Sequence, residues 1–223
     1  MVVLATKCYV SGDARERALD SLRSLVDDAV GDLDVEFEVG VRDDDFPSVT
    51  VEGPDAVAAR NHLAEQWGEI TSHLEPGEVH IGTLERWDED GLYLDAGREV
   101  FVPTDNLGLG PGDADQIRTR YGLVQHLPLR FVLDEDGEAS LAEAEVDRLY
   151  EWTRGSGRVN VNSATRAEAR ATVNRAGHAR DIVTVERLGL LEQSIVCGDD
   201  TDPPGLLASI GKHLPAELLA VVP

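Results

Sequence analysis

The chain of 223 residues has only two cysteines, Cys8 and Cys197, and they lie far apart with no C-x-x-C pair. That excludes a disulfide framework and a zinc ribbon, and predicts a buried, reduced thiol at each position. No apolar run approaches the ~18 residues of a membrane span. The start, "MVVLATKCYV", runs into "SGDARER" without a signal-peptide cleavage site. The expectation is a cytoplasmic protein with no membrane partner. The six histidines show no H-x-x-x-H spacing, none pairs with a cysteine, and there is no G-x-S-x-G elbow. With 43 carboxylates some pair will always look catalytic, so such pairs point to nothing. No catalytic residue, metal or cofactor is expected, and the chain reads as a non-enzyme.

Aromatics make up 5% of the chain, and of 20 basic residues only Lys7 and Lys212 are lysine. Acids outnumber bases 43 to 20, for a net charge of −23. Apolar residues, at 42%, are enough to build cores. This composition resembles that of proteins from salt-in halophilic archaea, where acidic surfaces keep chains soluble in molar KCl. The runs "RDDD", "DEDG" and "GDDTD" then read as solvated faces. On the same grounds the negative charge does not exclude a nucleic-acid partner.

The pattern predicts an α+β chain of several domains. Residues 1–73 read strand, helix, strand, strand, helix, a half-ferredoxin or KH-like βαββα module. "VVLATKCYV" is its first strand, and Ala18, Leu22, Leu25 and Ala29 share one helical face. The G-x-x-G loop of a KH domain is absent. Residues 74–143 carry short strands between turns, which predicts a small barrel. Residues 144–155 read as a linker helix. Residues 156–223 read βαββαβ, the order of a ferredoxin-like domain. There Thr165 and Glu168 form a capping box and Gly177 ends the helix.

The run "PGEVHIGTLERWDEDGLYLDAGREVFVPTDNL", closing on "RFVLDEDGEASL", resembles the OB-fold RNA-binding repeat known as the S-one domain over residues 76–143. That resemblance implies base stacking on aromatics of the second and third strands, at Tyr93 and Phe101. It also has departures: Asp90 stands where a Phe often precedes the glycine, and Pro103 where a His is common. Strand alternation leaves open whether Phe101 faces out or in.

Two glycine-rich motifs carry less. "NLGLGPGD" contains G-x-G-x-G but lacks the G-K-[ST] ending of a phosphate loop. "DPPGLLASIGKHL" resembles the ligand loop of ACT domains, which would make the last domain an amino-acid sensor. Its plain reading is a helix start at Asp202 with Leu206, Leu207, Ile210 and Leu214 as core.

Residues 154–180 form a basic island in this acidic chain, with six arginines and one acid, Glu168. Arg166 and Arg170 share a helical face, Arg175 points elsewhere, and Arg158 lies on the preceding strand. Arginine suits phosphate because its planar fork binds in bidentate fashion. At 1 M salt the Debye length is ~3 Å, so such a patch acts only in contact. The island is either a phosphate-binding face of Arg158, Arg166, Arg170 and Arg175, or it is paired internally with the acidic surface.

As a whole the chain resembles an archaeal protein family of unknown function found in halophiles and other euryarchaea. The reading is a non-enzymatic RNA- or nucleic-acid-binding protein of transcription or translation, with RNA, RNA polymerase or the ribosome as partner. The alternatives are an amino-acid-responsive regulator and a scaffold that binds only protein.

Overall fold

A computed structural model describes residues 1–223. Three separate sheets and six α-helices follow one another in an α+β chain, and no helix is long and apolar enough to cross a membrane.

The first unit holds β1 (Val2–Val3), α1 (Gly12–Val30), β2 (Glu36–Val41), β3 (Pro47–Glu52) and α2 (Ala56–Trp67). Its antiparallel sheet runs β1-β3-β2. Helix α1 buries Ala18, Leu22, Val26 and Val30, a four-residue spacing that places one stripe against Val49, Val51 and Leu63. The first strand is far shorter than "VVLATKCYV" suggests. Only Val2 and Val3 pair with β3, and Leu4 makes a single bridge to Glu69. Beyond them the chain leaves the sheet because Thr6, Lys7 and Tyr9 bond to the other two units.

The second unit is built from β4 (Val79–Trp87), β5 (Gly91–Asp95), β6 (Glu99–Pro103), α3 (Ala114–Tyr121), β7 (Pro128–Leu133), β8 (Ala139–Leu141) and α4 (Glu143–Trp152). The sheet runs β6-β5-β4-β7-β8, and its two edge strands lie against each other, so it curls on itself. Its interior includes Leu84, Leu92, Leu94, Val102, Leu129 and Phe131. Helix α3 falls where the sequence suggests only a Gly/Pro loop. A capping box of Asp113 and Gln116 starts it, and Gly122, left-handed at φ 65°, ends it. The helix read as a linker packs into this core through Leu149 and Trp152.

The third unit holds β9 (Arg158–Val161), α5 (Arg166–Arg175), β10 (Ile182–Arg187), β11 (Gln193–Cys197), α6 (Pro203–Ile210) and β12 (Leu218–Val221). All pairings are antiparallel, in the order β10-β11-β9-β12. Thr165 and Glu168 close the capping box that their spacing predicts. Val159, Val161, Val185 and Ile195 face the helices. The opposite face of β9 turns toward the second unit: Asn160 Nδ2 donates to Gly122 O at 2.9 Å and Asn162 Nδ2 to Gln125 O at 3.2 Å. Val221 of β12 joins the core of the second unit.

Candidate nucleic-acid interface

The basic island divides according to which face each arginine lies on. Arg158 sits on the face of β9 that meets the second unit. Its side chain is 13% exposed, its guanidinium pairs with Glu186 at 3.0 Å and bonds Ser194 Oγ at 3.1 Å, and it lies over the Trp152 ring. Burial pushes its pKa below the usual arginine value. Arg154 pairs with Glu151 at 2.6 Å. Arg166 is exposed but donates from Nε to Val185 O at 2.6 Å, which lays it across β10. Arg170, Arg175 and Arg180 are exposed and pair with no carboxylate. The one acid of the island, Glu168, accepts from Arg17 of α1 at 2.7 Å. The structure therefore separates Arg158 from Arg166, Arg170 and Arg175. It adds Arg187, a half-buried cation near Arg166 that has no acidic partner.

Tyr93 and Phe101 are brought together. They are register partners on β5 and β6, with ring centroids 4.8 Å apart and planes tilted by 40°. In β6 Val100 and Val102 point inward while Glu99, Phe101 and Pro103 point outward. Phe101 is 38% exposed. A bulge in β4 after Leu84 sets Arg86 opposite Tyr93, and its guanidinium lies 3.3 Å from the Tyr93 ring centroid. Arg86, Tyr93 and Phe101 thus form one row across three strands. Acids hold the row in place. Tyr93 donates its phenol proton to Asp88 at 2.8 Å, and Arg86 pairs with Glu99 at 3.1 Å. The bond to Asp88 raises the Tyr93 pKa, and the same bond lowers that of Asp88. Past Phe101 the surface opens into a groove of about 440 Å³ between β6 and β8, which includes Arg98, Pro103 and Leu133. No hydrogen bond, ion pair or ring contact joins this row to the island's arginines. Arg86 has no motif of its own; only its place in a bulged strand beside Tyr93 marks it, and that is not visible from spacing.

The other motifs make hydrogen bonds within the protein. Gly108, Gly110 and Gly112 all have positive φ, and the loop's carbonyls accept from Tyr150, Tyr121 and Arg120. Asp202 caps α6 by accepting from the Gly205 amide at 2.9 Å, so that amide is not free for a ligand carboxylate. No group of three or more His, Cys, Asp or Glu side chains is placed to hold a metal ion. Both cysteines are buried and free, and burial raises the pKa of each, Cys197 to about 11.

Where the three units meet, polar side chains are dense. Lys7, 9% exposed, pairs with Asp95 at 2.8 Å and Glu85 at 3.0 Å. Burial raises the Glu85 pKa, but His126, Thr83 and Lys7 together pull it down to about 2. Tyr9 stacks on His126 with centroids 3.9 Å apart. It donates to the buried Glu192 at 2.8 Å and accepts from the Ser163 amide at 2.8 Å. His126 and Ser163 both sit at positive φ (68° and 56°), a conformation uncommon outside glycine.

Three family models match the chain in succession. They are the DUF2110 N-terminal domain over residues 1–73, the DUF2110 central domain over 74–153 and the DUF2110 C-terminal domain over 156–222. The chain belongs to this three-domain family. A search of curated proteins finds no match.

Proposed function

We propose that this DUF2110 protein is a non-enzymatic RNA-binding protein that works beside the nucleic-acid machinery of transcription or translation. In this reading the central unit is an OB barrel of the S-one type and the last unit a ferredoxin-like domain. The order β6-β5-β4-β7-β8, the meeting of β6 with β8 and the helix between β6 and β7 support the first assignment. The βαββαβ order with β9 and β11 in the centre of the sheet supports the second.

The observation that carries the proposal is the row Arg86–Tyr93–Phe101. OB folds bind oligonucleotides on the face of their second and third strands, which here are β5 and β6. Unpaired bases stack on aromatic rings and on guanidinium planes alike. The groove beyond Phe101 continues the surface, and its Arg98 has no acidic partner. Arg166, Arg170 and Arg175 add phosphate contacts on the last domain. Arg158 does not belong to that set, since it is enclosed and paired.

The test is binding of a labelled single-stranded RNA in molar KCl. Stacking is worth ~1–3 kcal/mol per base, so Tyr93→Ala with Phe101→Ala is expected to weaken binding by at least about tenfold. Arg166→Glu with Arg170→Glu is expected to weaken it less. Wild-type affinity in the aromatic double variant refutes the proposal.

A further inference from the structure

A cavity of about 60 Å³ lies where the three units meet. Thr6 and Trp67 reach it from the first unit, Pro128, Arg130 and Arg148 from the second, and Gly189 from the third. On this measure a water needs about 10–15 Å³, so there is room for roughly four or five water-sized atoms, the size of a tetrahedral oxyanion.

The lining is rich in donors. Trp67 is 8% exposed, and its buried Nε1–H meets no acceptor in the protein. A buried N–H left unpaired is costly, so this donor is in want of an acceptor. Thr6 is fully buried, and its oxygen already accepts from the Leu190 amide at 2.8 Å. Its own O–H meets no acceptor in the protein and is left to donate. Arg130 and Arg148 both pair with one fully buried carboxylate, Glu145. Two cations against one anion leave an excess positive charge at the cavity, and each guanidinium carries five N–H groups, only some of which Glu145 takes. Arg187, with no acidic partner, lies over the Trp67 ring with its guanidinium 6.0 Å from the centroid. In a chain of net charge −23, two arginines on one acid at the cavity wall are a local reversal of sign. The other nearby carboxyl, Glu192, has an unpartnered oxygen against Gly189. Burial raises its pKa to about 8, which favours its uncharged form beside the cavity.

We propose that this cavity is a binding site for a phosphate- or sulfate-type oxyanion, held by Trp67 Nε1–H, Thr6 Oγ–H and the guanidinium groups of Arg130 and Arg148. The four ligands come from the first and second units, so the bound anion ties those two domains together, with Gly189 of the third closing the wall. The anion is either a free ion or the terminal phosphate of a nucleotide.

The experiment is calorimetric titration of the full chain with inorganic phosphate, sulfate and a ribonucleoside 5′-monophosphate, in constant molar KCl. Heat of binding is measured rather than melting, since phosphate and sulfate stabilise many proteins without binding. Saturable binding of phosphate or sulfate is expected. Trp67→Phe keeps the ring and removes the N–H, and it should weaken binding about tenfold while leaving the anion-free melting temperature close to wild type. Arg148→Lys keeps a charge opposite Glu145 but removes the fork, and should also weaken binding. Competition by the monophosphate identifies a nucleotide as the source, and its failure to compete identifies a free ion. Absence of saturable binding, or affinity unchanged in both variants, overturns the proposal. Tyr93→Ala should leave anion binding unchanged, which separates this site from the RNA face.

Discussion

Tyr93 shows how an acidic protein can keep a stacking surface. Its ring lies between a guanidinium and a phenylalanine, and its hydroxyl is fixed by Asp88. In the proposed reading the nearby acids orient the platform rather than simply repelling RNA. Its partners explain what was legible. The resemblance of "GLYLDAG" to a barrel strand pointed to Tyr93, but whether Phe101 faced outward was undetermined until the register was known. Arg158 was misleading for the opposite reason. Alternation with Val159 and Val161 shows that it leaves the core of its own domain, and says nothing about a second domain packed on that side. Glu192 was invisible, because a buried acid looks like any other of the 43 acids in the sequence. It also yields a prediction. Its folded pKa is raised from 4.5 to about 8, so the native state holds a proton that the unfolded chain has released. Stability from this group is complete below pH ~4.5 and falls as pH rises toward ~8. Denaturant titrations at several pH values should show that decline in the wild type and much less of it in Glu192→Gln. An equal decline in both would place the effect elsewhere.

At the scale of elements, strand β5 depends on Gly91. A Cβ there would run into Val102 O and come within 2.8 Å of the Phe101 ring. Gly91→Ala should destabilise the protein by about 1–3 kcal/mol, as overpacking does, and should reduce RNA affinity because Phe101 must move. Chemical denaturation and RNA titration of the same variant check both effects. Helix α5 depends on its cap: Thr165→Ala should lower stability by about 1 kcal/mol. That box was legible because it is a local signal, two residues at fixed spacing. Helix α3 was not, since it has eight residues and buries only Ala114, Ile117, Arg118 and Tyr121. Its start lies in a Gly/Pro-rich stretch that resembles a loop. The first strand was overestimated for a related reason. "VVLATKCYV" has strand composition, but Thr6, Lys7 and Tyr9 bond across domain boundaries instead of pairing in a sheet.

At the scale of the molecule, the domains are joined by buried polar contacts that sequence reading could not anticipate, because the partners are distant in the chain, from 37 residues for Asn162 and Gln125 to 184 for Thr6 and Leu190. Lys7 to Asp95 and Tyr9 to Glu192 are examples. Lys7→Met leaves Glu85 and Asp95 without their shared cation; both carboxylates are about a quarter exposed, so the cost falls below the about 3–5 kcal/mol of a fully buried pair. Thermal unfolding of that variant should begin at lower temperature and separate into more than one transition. A single transition at the wild-type temperature would mean that Lys7 does not couple the domains. The central claim is that this acidic protein holds RNA by stacking on Arg86, Tyr93 and Phe101, not by long-range charge. Affinity for a single-stranded RNA measured across a range of KCl concentrations tests it most directly. A protein that binds by neutralising many phosphates loses affinity steeply, with a slope of about −0.7 per phosphate for single strands. A shallow slope, with binding retained at molar salt and lost in Tyr93→Ala with Phe101→Ala, is the predicted result. A steep slope, or no binding at any salt concentration, would contradict the account.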